Sequence, residues 1–242
     1  MPRIFAHRGL ALEAPENTLL AFLKALTSGA THLETDVQVT SDGIAVLSHD
    51  PSLLRLTGRQ IRIDRLRMSD LAHIDLGDGQ SFTSLAAALD AFPDARFNID
   101  VKAKAAPAAV VHAVNAVRAK HRVLITSFSE ARRRATVDAI PGVASSASTA
   151  RVIPILAAAA ARMRAATKRA AAGLQAVQIP QRKGPVPLVT AGMVRSVHAA
   201  GLEVHVWTVN DPAEMSRLLA LGVDGLVTDR CDLASAVIWP RL

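Results

Sequence analysis

Four short motifs near the start of the chain, His7-Arg8-Gly9, Glu16-Asn17-Thr18, Glu34-Thr35-Asp36 and His49-Asp50, bring together the side chains that proton transfer and anion handling require. Histidines exchange protons near neutral pH, grouped carboxylates hold a hard cation through oxygen, and an arginine grips phosphate with a planar fork of donors. The combination points to metal-assisted phosphate chemistry.

Residues this far apart in sequence cooperate only if regular elements carry them to one place. Short apolar runs alternate with longer Ala- and Leu-rich stretches, the pattern of repeated βα units. Eight strands are expected, at 3–6, 32–39, 96–101, 123–126, 143–146, 176–179, 203–208 and 225–228. Helices are expected at 17–28, 84–91, 107–120, 129–139, 152–172, 189–199, 212–221 and 233–238. Pro107 and Pro212 suit first helical turns, and Gly29, Gly201 and Gly222 follow helix ends. Ser41-Asp42-Gly43 has the composition of a turn returning an extra strand at 44–48, and residues from about 46 to 80 are expected to form a small insertion over the barrel mouth. The expectation is one α/β domain, 1–242, built as a (β/α)8 barrel with an insertion after the second strand.

Side chains two apart share a strand face. On the second strand Glu34, Asp36 and Gln38 share one face and Leu33, Thr35, Val37 and Val39 the other; on the third, Asn98, Asp100 and Lys102 lie opposite Phe97, Ile99 and Val101. The apolar faces must meet helices, so the polar faces point into the barrel. Inward carboxylates on neighbouring strands repel and lose hydration unless they are protonated or paired with a cation. Glu34, Asp36 and Asp100 offer an all-oxygen ligand set, suited to Mg²⁺ or Ca²⁺ rather than zinc. The alternative is a salt-bridge cluster with Lys102 and Arg8. His7 ends the first strand and His49 the extra strand, which places both at the carboxyl end of the barrel, fit to act as an acid and base pair. His32, His73, His112, His121 and His198 have no evident partner and are assigned to the surface.

Composition bounds the rest. Half of the 242 residues are apolar, yet the chain has no Tyr, six Phe and two Trp, so its core is expected to consist of Ala, Val, Leu and Ile. The net charge of +7 includes two arginine clusters, Arg132-Arg133-Arg134 and Arg162 to Arg169. Without interleaved aromatic residues these are assigned to solvated helix faces, not to a nucleic-acid platform. The weakly polar run at 152–161 contains Pro154 and falls short of the roughly 20 apolar residues that span a bilayer. A lone Cys231 and the absence of a signal segment ahead of His7 lead to the expectation of a cytoplasmic protein acting on a small molecule.

Taken in order, the four opening motifs resemble those of the glycerophosphodiester phosphodiesterase family. Later segments agree: Asn98-Ile99-Asp100-Val101-Lys102, Ser127-Phe128, Val206-Trp207-Thr208-Val209-Asn210, Gly222-Val223-Asp224-Gly225 and Thr228-Asp229-Arg230. The resemblance implies a TIM-type barrel that hydrolyses glycerophosphodiesters to glycerol 3-phosphate and an alcohol with one divalent cation, Mg²⁺ or Ca²⁺. It implies Glu34, Asp36 and Asp100 as metal ligands, His7 as general acid, His49 as general base, Arg8 and Lys102 on the phosphate, and Phe128 with Trp207 as an apolar wall against the glycerol carbons. Asp100 departs from the Glu usual in the family, and Cys231 from a frequent Pro, at a position near the barrel mouth where a buried, inert thiol is expected over a reactive one. Glu16 and Asn17 are assigned to fixing the first loop, with Asn17 or Thr18 capping the first helix. Arg182, after the sixth strand, is a further candidate for the phosphate. Two other functions are compatible with the same motifs, a lysophospholipase D-like enzyme acting on membrane lysophospholipids and a barrel that binds anions without turnover.

Overall fold

The computed structural model describes residues 1–239. Eight parallel strands form its centre: β1 (Arg3–His7), β2 (His32–Val39), β3 (Arg96–Val101), β4 (Val123–Thr126), β5 (Ala144–Ser145), β6 (Ala176–Pro180), β7 (Glu203–Trp207) and β8 (Gly225–Thr228). Each pairs with its neighbours in sequence, β8 returns beside β1, and a single bridge from Ser146 to Ala176 joins β5 to β6 and closes the barrel. The outward faces carry Leu33 and Val37, Phe97, Ile99 and Val101, Val204 and Val206, all buried. Helices press on them through small residues such as Ala25, Ala88, Ala109 and Ala113, so a core poor in aromatics still fills its space. No helix among the described residues is long and apolar enough to cross a membrane.

The barrel interior is polar. Gln178 Nε2 donates to Asn98 Oδ1 at 3.1 Å and lies 3.3 Å from His205 Nδ1, while His205 Nε2 meets Glu203 Oε2 at 3.0 Å. Glu203 in turn pairs with Arg3. His32 belongs to this interior and not to the surface as expected. It sits within β2, its ring 4.5 Å from that of Phe5 and its Nδ1 2.8 Å from Thr31 Oγ1, where burial pushes its pKa down to about 3. His198, also expected to be without a partner, meets Asp224 Oδ2 at 2.7 Å.

After β2 the chain turns at Gly43 and returns as an antiparallel strand, Ala45–Leu47. The insertion that follows is held by its own cluster of Val46, Leu53, Ile63, Leu71, Ile74 and Phe82. The expected helix at 152–172 is two helices, Thr149–Ala160 and Arg164–Ala171. The break is a Schellman-type end, in which Met163 N–H donates to Ala158 at 2.9 Å and Arg162 takes a left-handed φ of 56°. Likewise the helix expected at 107–120 is Ala106–Ala116, followed by a left-handed Arg118 at φ 52°. Both endings place arginine where glycine is usual, so the sequence carries no stop signal there.

The short β5 survives through buried polar contacts. Arg133 Nη1 donates to Ser145 Oγ at 3.0 Å and its Nε to Glu130 at 2.7 Å. Arg133 is therefore a buried strut, not part of a solvated basic face.

Candidate active site

Strand register assembles the site. β2 and β3 set Asp36 beside Asp100, and β1 and β2 set His7 beside Glu34. All nine residues expected to act, His7, Arg8, Glu34, Asp36, His49, Asp100, Lys102, Phe128 and Trp207, line one cavity of about 740 Å³ at the carboxyl end of the barrel.

Glu34, Asp36 and Asp100 are almost completely buried. Lys102 Nζ stands between two of them, 2.9 Å from Asp36 Oδ1 and 2.6 Å from Asp100 Oδ2. Arg8 Nε lies 3.0 Å from Asp36 Oδ2, off the axis of a hydrogen bond, and the Arg8 backbone N–H donates to Glu34 Oε2 at 3.0 Å. Burial pushes the Glu34 carboxyl up to about 8, and the charge of Asp36 adds to this. Burial raises Asp100 as well, against the pull of Lys102, while the two aspartates raise Lys102 in spite of its own burial. The salt-bridge cluster of Arg8 and Lys102 foreseen from the strand faces is thus present. Among the described residues no three histidine, cysteine or carboxylate groups stand close enough together to hold a metal ion as they are.

Each imidazole has a carboxylate behind it. His7 Nδ1 meets Asp229 Oδ1 at 2.6 Å, and Asn210 Nδ2 holds the other oxygen of Asp229 at 2.7 Å. Burial alone would depress His7, but the Asp229 hydrogen bond and the Glu34 charge outweigh it and leave its pKa raised. His49 Nδ1 meets Asp50 Oδ1 at 2.7 Å, and Arg55 Nε grips the other oxygen of Asp50 at 2.5 Å. Arg55 also donates to both oxygens of Glu16, at 2.9 and 2.6 Å, and Glu16 accepts from Arg8 Nη1 at 3.2 Å.

The loop after β1 is built around unusual backbone. Arg8 and Asn17 both have φ of 58°, a conformation costing on the order of 1 kcal/mol or more for a side-chain-bearing residue. Asn17 N–H donates to the Arg8 carbonyl at 2.9 Å, and Asn17 Oδ1 accepts from Thr35 Oγ1 at 2.7 Å, which fixes the loop against β2. Thr18 is the cap of helix Leu19–Thr27, accepting from Ala21 N–H.

Opposite the carboxylates, the Phe128 and Trp207 rings meet edge to face at 5.8 Å, and Lys102 Nζ lies 5.5 Å from the centre of the Phe128 ring. Arg182 is not in the cavity; its guanidinium donates to the Pro185 carbonyl, and Lys183 takes its place in the lining. Cys231 is not exposed at the mouth. It is buried near the Ala25 carbonyl, and burial pushes its thiol up to about 12, which leaves it unreactive near neutral pH.

Neither histidine's partner is evident from the residue order alone. Asp229 lies 222 positions from His7, and only closure of the barrel with β8 beside β1 brings the two together. Arg55 sits in no recognisable motif.

The chain matches the family model described as the glycerophosphoryl diester phosphodiesterase family over residues 7–233. It is 42% identical over 238 residues to a probable glycerophosphodiester phosphodiesterase 2 of Mycobacterium tuberculosis, an alignment covering 98% of this chain and 90% of that one. A crystal structure of glycerophosphodiester phosphodiesterase from Agrobacterium tumefaciens superposes with a TM-score of 0.81 at 27% identity, covering 98% of this chain and 99% of that one. A phosphodiesterase of Oleispira antarctica, solved in complex with sn-glycerol-3-phosphate, shares the fold with a TM-score of 0.78 at 24% identity, over 98% and 97% of the two chains. Motifs, barrel and relatives agree along nearly the whole length, and the chain belongs to the glycerophosphoryl diester phosphodiesterase family.

Proposed function

We propose that this phosphodiesterase is a divalent-cation-dependent hydrolase that cleaves glycerophosphodiesters to glycerol 3-phosphate and an alcohol. The observation that carries the reading is the pair of carboxylate-held imidazoles, His7 with Asp229 and His49 with Asp50, facing one cavity with a buried carboxylate cluster.

The chemistry of the donor set suits a hard cation, although Lys102 holds Asp36 and Asp100 at a spacing that does not close around one. Three carboxylates, Glu34, Asp36 and Asp100, share the fixed cations of Arg8 and Lys102, and Arg8 is shared in turn with Glu16. Burial and the neighbouring Asp36 charge raise Glu34, and a cation in place of its proton would relieve both. Asp100 Oδ1 is buried with no hydrogen-bond partner. All the donors are oxygens, as Mg²⁺ and Ca²⁺ require. When bound by Glu34, Asp36 and Asp100, the cation supplies Lewis-acid polarisation of a phosphoryl oxygen.

The chain's own groups do the rest. Lys102, on a flexible stem, and Arg8 neutralise the phosphate, which leaves the glycerol carbons against the Phe128 and Trp207 wall. His49, its Nδ1 tied to Asp50, presents Nε2 to take a proton from the attacking oxygen. His7, its Nδ1 tied to Asp229 and its pKa raised, keeps a proton on Nε2 for the departing alcohol.

Turnover of a panel of glycerophosphodiesters with Mg²⁺, with Ca²⁺ and with chelator checks this. Hydrolysis should yield glycerol 3-phosphate, need the cation and be lost in His49→Ala with the fold intact. Full activity in chelator would overturn the cation role, and an active His49→Ala the acid and base roles. Cation-induced thermal stabilisation that disappears in Asp100→Asn provides a readout independent of turnover.

A further inference from the structure

The carboxylates behind the two imidazoles are themselves held in different ways. Behind His7, Asp229 takes its second hydrogen bond from the side-chain amide of Asn210, a neutral donor just after β7. Behind His49, Asp50 takes its second from the guanidinium of Arg55, a full positive charge carried by the insertion. An aspartate held by an amide keeps its whole charge for the imidazole, whereas one held by a guanidinium divides it. His7 thus faces a carboxylate that favours the imidazolium. His49 faces one that orients the ring with part of its charge already taken up.

The backbone around His49 is fixed without Arg55. Gln38 Nε2 donates to the His49 carbonyl at 3.0 Å, Ser48 N–H to the Asp36 carbonyl at 3.0 Å and Ser48 Oγ to the Asp50 carbonyl at 3.1 Å. The side chains of His49 and Asp50 are 37% and 26% exposed, and only the hydrogen bonds at their ends keep them from turning to water. Arg55 is itself about half exposed, on the four-residue helix Leu54–Thr57, and the neighbouring Leu53 seats that helix in the insertion's own apolar cluster. Loss of the Arg55 side chain therefore removes a charge and a tether, and little packing.

The same guanidinium acts on the phosphate side. It donates to both oxygens of Glu16, at 2.9 and 2.6 Å, which leaves Arg8 only the longer contacts of 3.2 and 3.4 Å. Without Arg55, Glu16 is free to close on Arg8 and compete with a phosphate for it.

We infer that Arg55 is a positioning residue for the hydrolysis: through Asp50 it aims His49 and offsets the charge behind it, and through Glu16 it keeps Arg8 available to the phosphate. Arg55 does not line the cavity and acts only through these two carboxylates. The inference rests on the reading of His49 as general base and Arg8 as a phosphate ligand. It gives the difference between the two imidazoles a physical origin, in what holds the carboxylate behind each.

The test uses the full chain with Mg²⁺, glycerophosphocholine as substrate, and the variants Arg55→Gln and Arg55→Lys. In Arg55→Gln, kcat should fall on the order of tenfold to a hundredfold and KM should rise. The acid limb of its kcat/KM profile should move up by about 0.5–1 pH unit, because the lost charge favours a proton on His49. Arg55→Lys keeps the charge without the fork, so it should leave the limb in place and recover only part of kcat. Adding Glu16→Gln to Arg55→Gln should return KM toward that of the unsubstituted protein while kcat stays low. The other charges that share a cavity wall with His49, Lys102, Arg62, Asp64, Lys104 and the Arg8 and carboxylate cluster, are common to both Arg55 variants, so a moved limb reports Arg55. Thermal midpoints close to that of the unsubstituted protein separate these effects from folding. Titration of the His49 ring by NMR without substrate, its resonance assigned by loss in His49→Gln, should follow the same pattern as the limb. An unmoved His49 titration in Arg55→Gln overturns the charge role, and an unchanged kcat overturns the positioning. An unsubstituted protein that cleaves no diester overturns the hydrolytic reading alone, and the His49 titration then decides for or against Arg55.

Discussion

His7 and His49 owe their proton-transfer geometry to the carboxylates at their backs, because an imidazole tied at Nδ1 presents Nε2 in one tautomer and one orientation. Asp229→Asn keeps the shape of the His7 partner but removes its charge. We expect kcat to fall on the order of a hundredfold or more, KM to change little, and the alkaline limb of the pH profile to move to lower pH as His7 loses the support that raises it. An unchanged limb would reduce Asp229 to a structural contact. At this scale the sequence was informative where alternation within a strand decides the matter, as for Glu34 with Asp36 and Asp100 with Lys102. It was silent where two distant strands must first become neighbours, as for His7 with Asp229, and misleading for His32, whose type suggested a surface while its strand position made it interior.

Among the elements, the loop between β1 and helix Leu19–Thr27 is the most tightly determined. A Cβ at Gly9 would stand 2.7 Å from Ala21 Cβ and 2.8 Å from its backbone carbon, at a φ of 84° that side chains rarely adopt. Gly9→Ala must therefore displace the helix or the loop that carries Arg8 and Glu16. A loss of on the order of 1–3 kcal/mol in unfolding free energy, together with a larger loss of activity than stability alone explains, is the expected outcome by denaturant titration and assay. The strands were legible because inward polar and outward apolar residues alternate along them, and Pro107 and Pro212 marked helix starts. The ends at Arg118 and Arg162 were not, since left-handed arginines leave no mark that a reader of glycines can find. The two-residue β5 was blurred by its Ala-rich surroundings and depends on Arg133, a side chain from outside the strand.

For the whole molecule, the polar barrel interior sets a dependence on pH. His32, held at about 3 by burial with the Arg3 charge adding, stays neutral in the folded protein between pH 6.5 and 3, whereas the unfolded chain takes up a proton there. Its contribution to stability is therefore fully present above pH 6.5 and declines as pH falls through that window, by up to about 1.4 kcal/mol per pH unit. Glu34 acts in the opposite sense between about 4.5 and 8, because its folded form keeps a proton that the unfolded chain has lost. The His32 effect is accordingly read as a difference. His32→Gln should lose less stability than the unsubstituted protein when urea titrations at pH 7 and pH 5 are compared, and equal losses would count against it. Closure of eight βα units was legible from the rhythm of the sequence, but not what fills the barrel, because the chain from Asn98 through Gln178 and His205 to Glu203 runs across three strands far apart in sequence.

Arg55 gives the insertion a meaning beyond covering the site. One guanidinium joins Glu16 of the first loop to Asp50 beside His49, so the three residues form a unit of inheritance. A chimaera that receives the insertion of a relative whose brace does not match Glu16 would keep its barrel and lose the aim of its second imidazole. Recombination among such barrels is constrained less by the boundaries of their strands than by this single cross-brace.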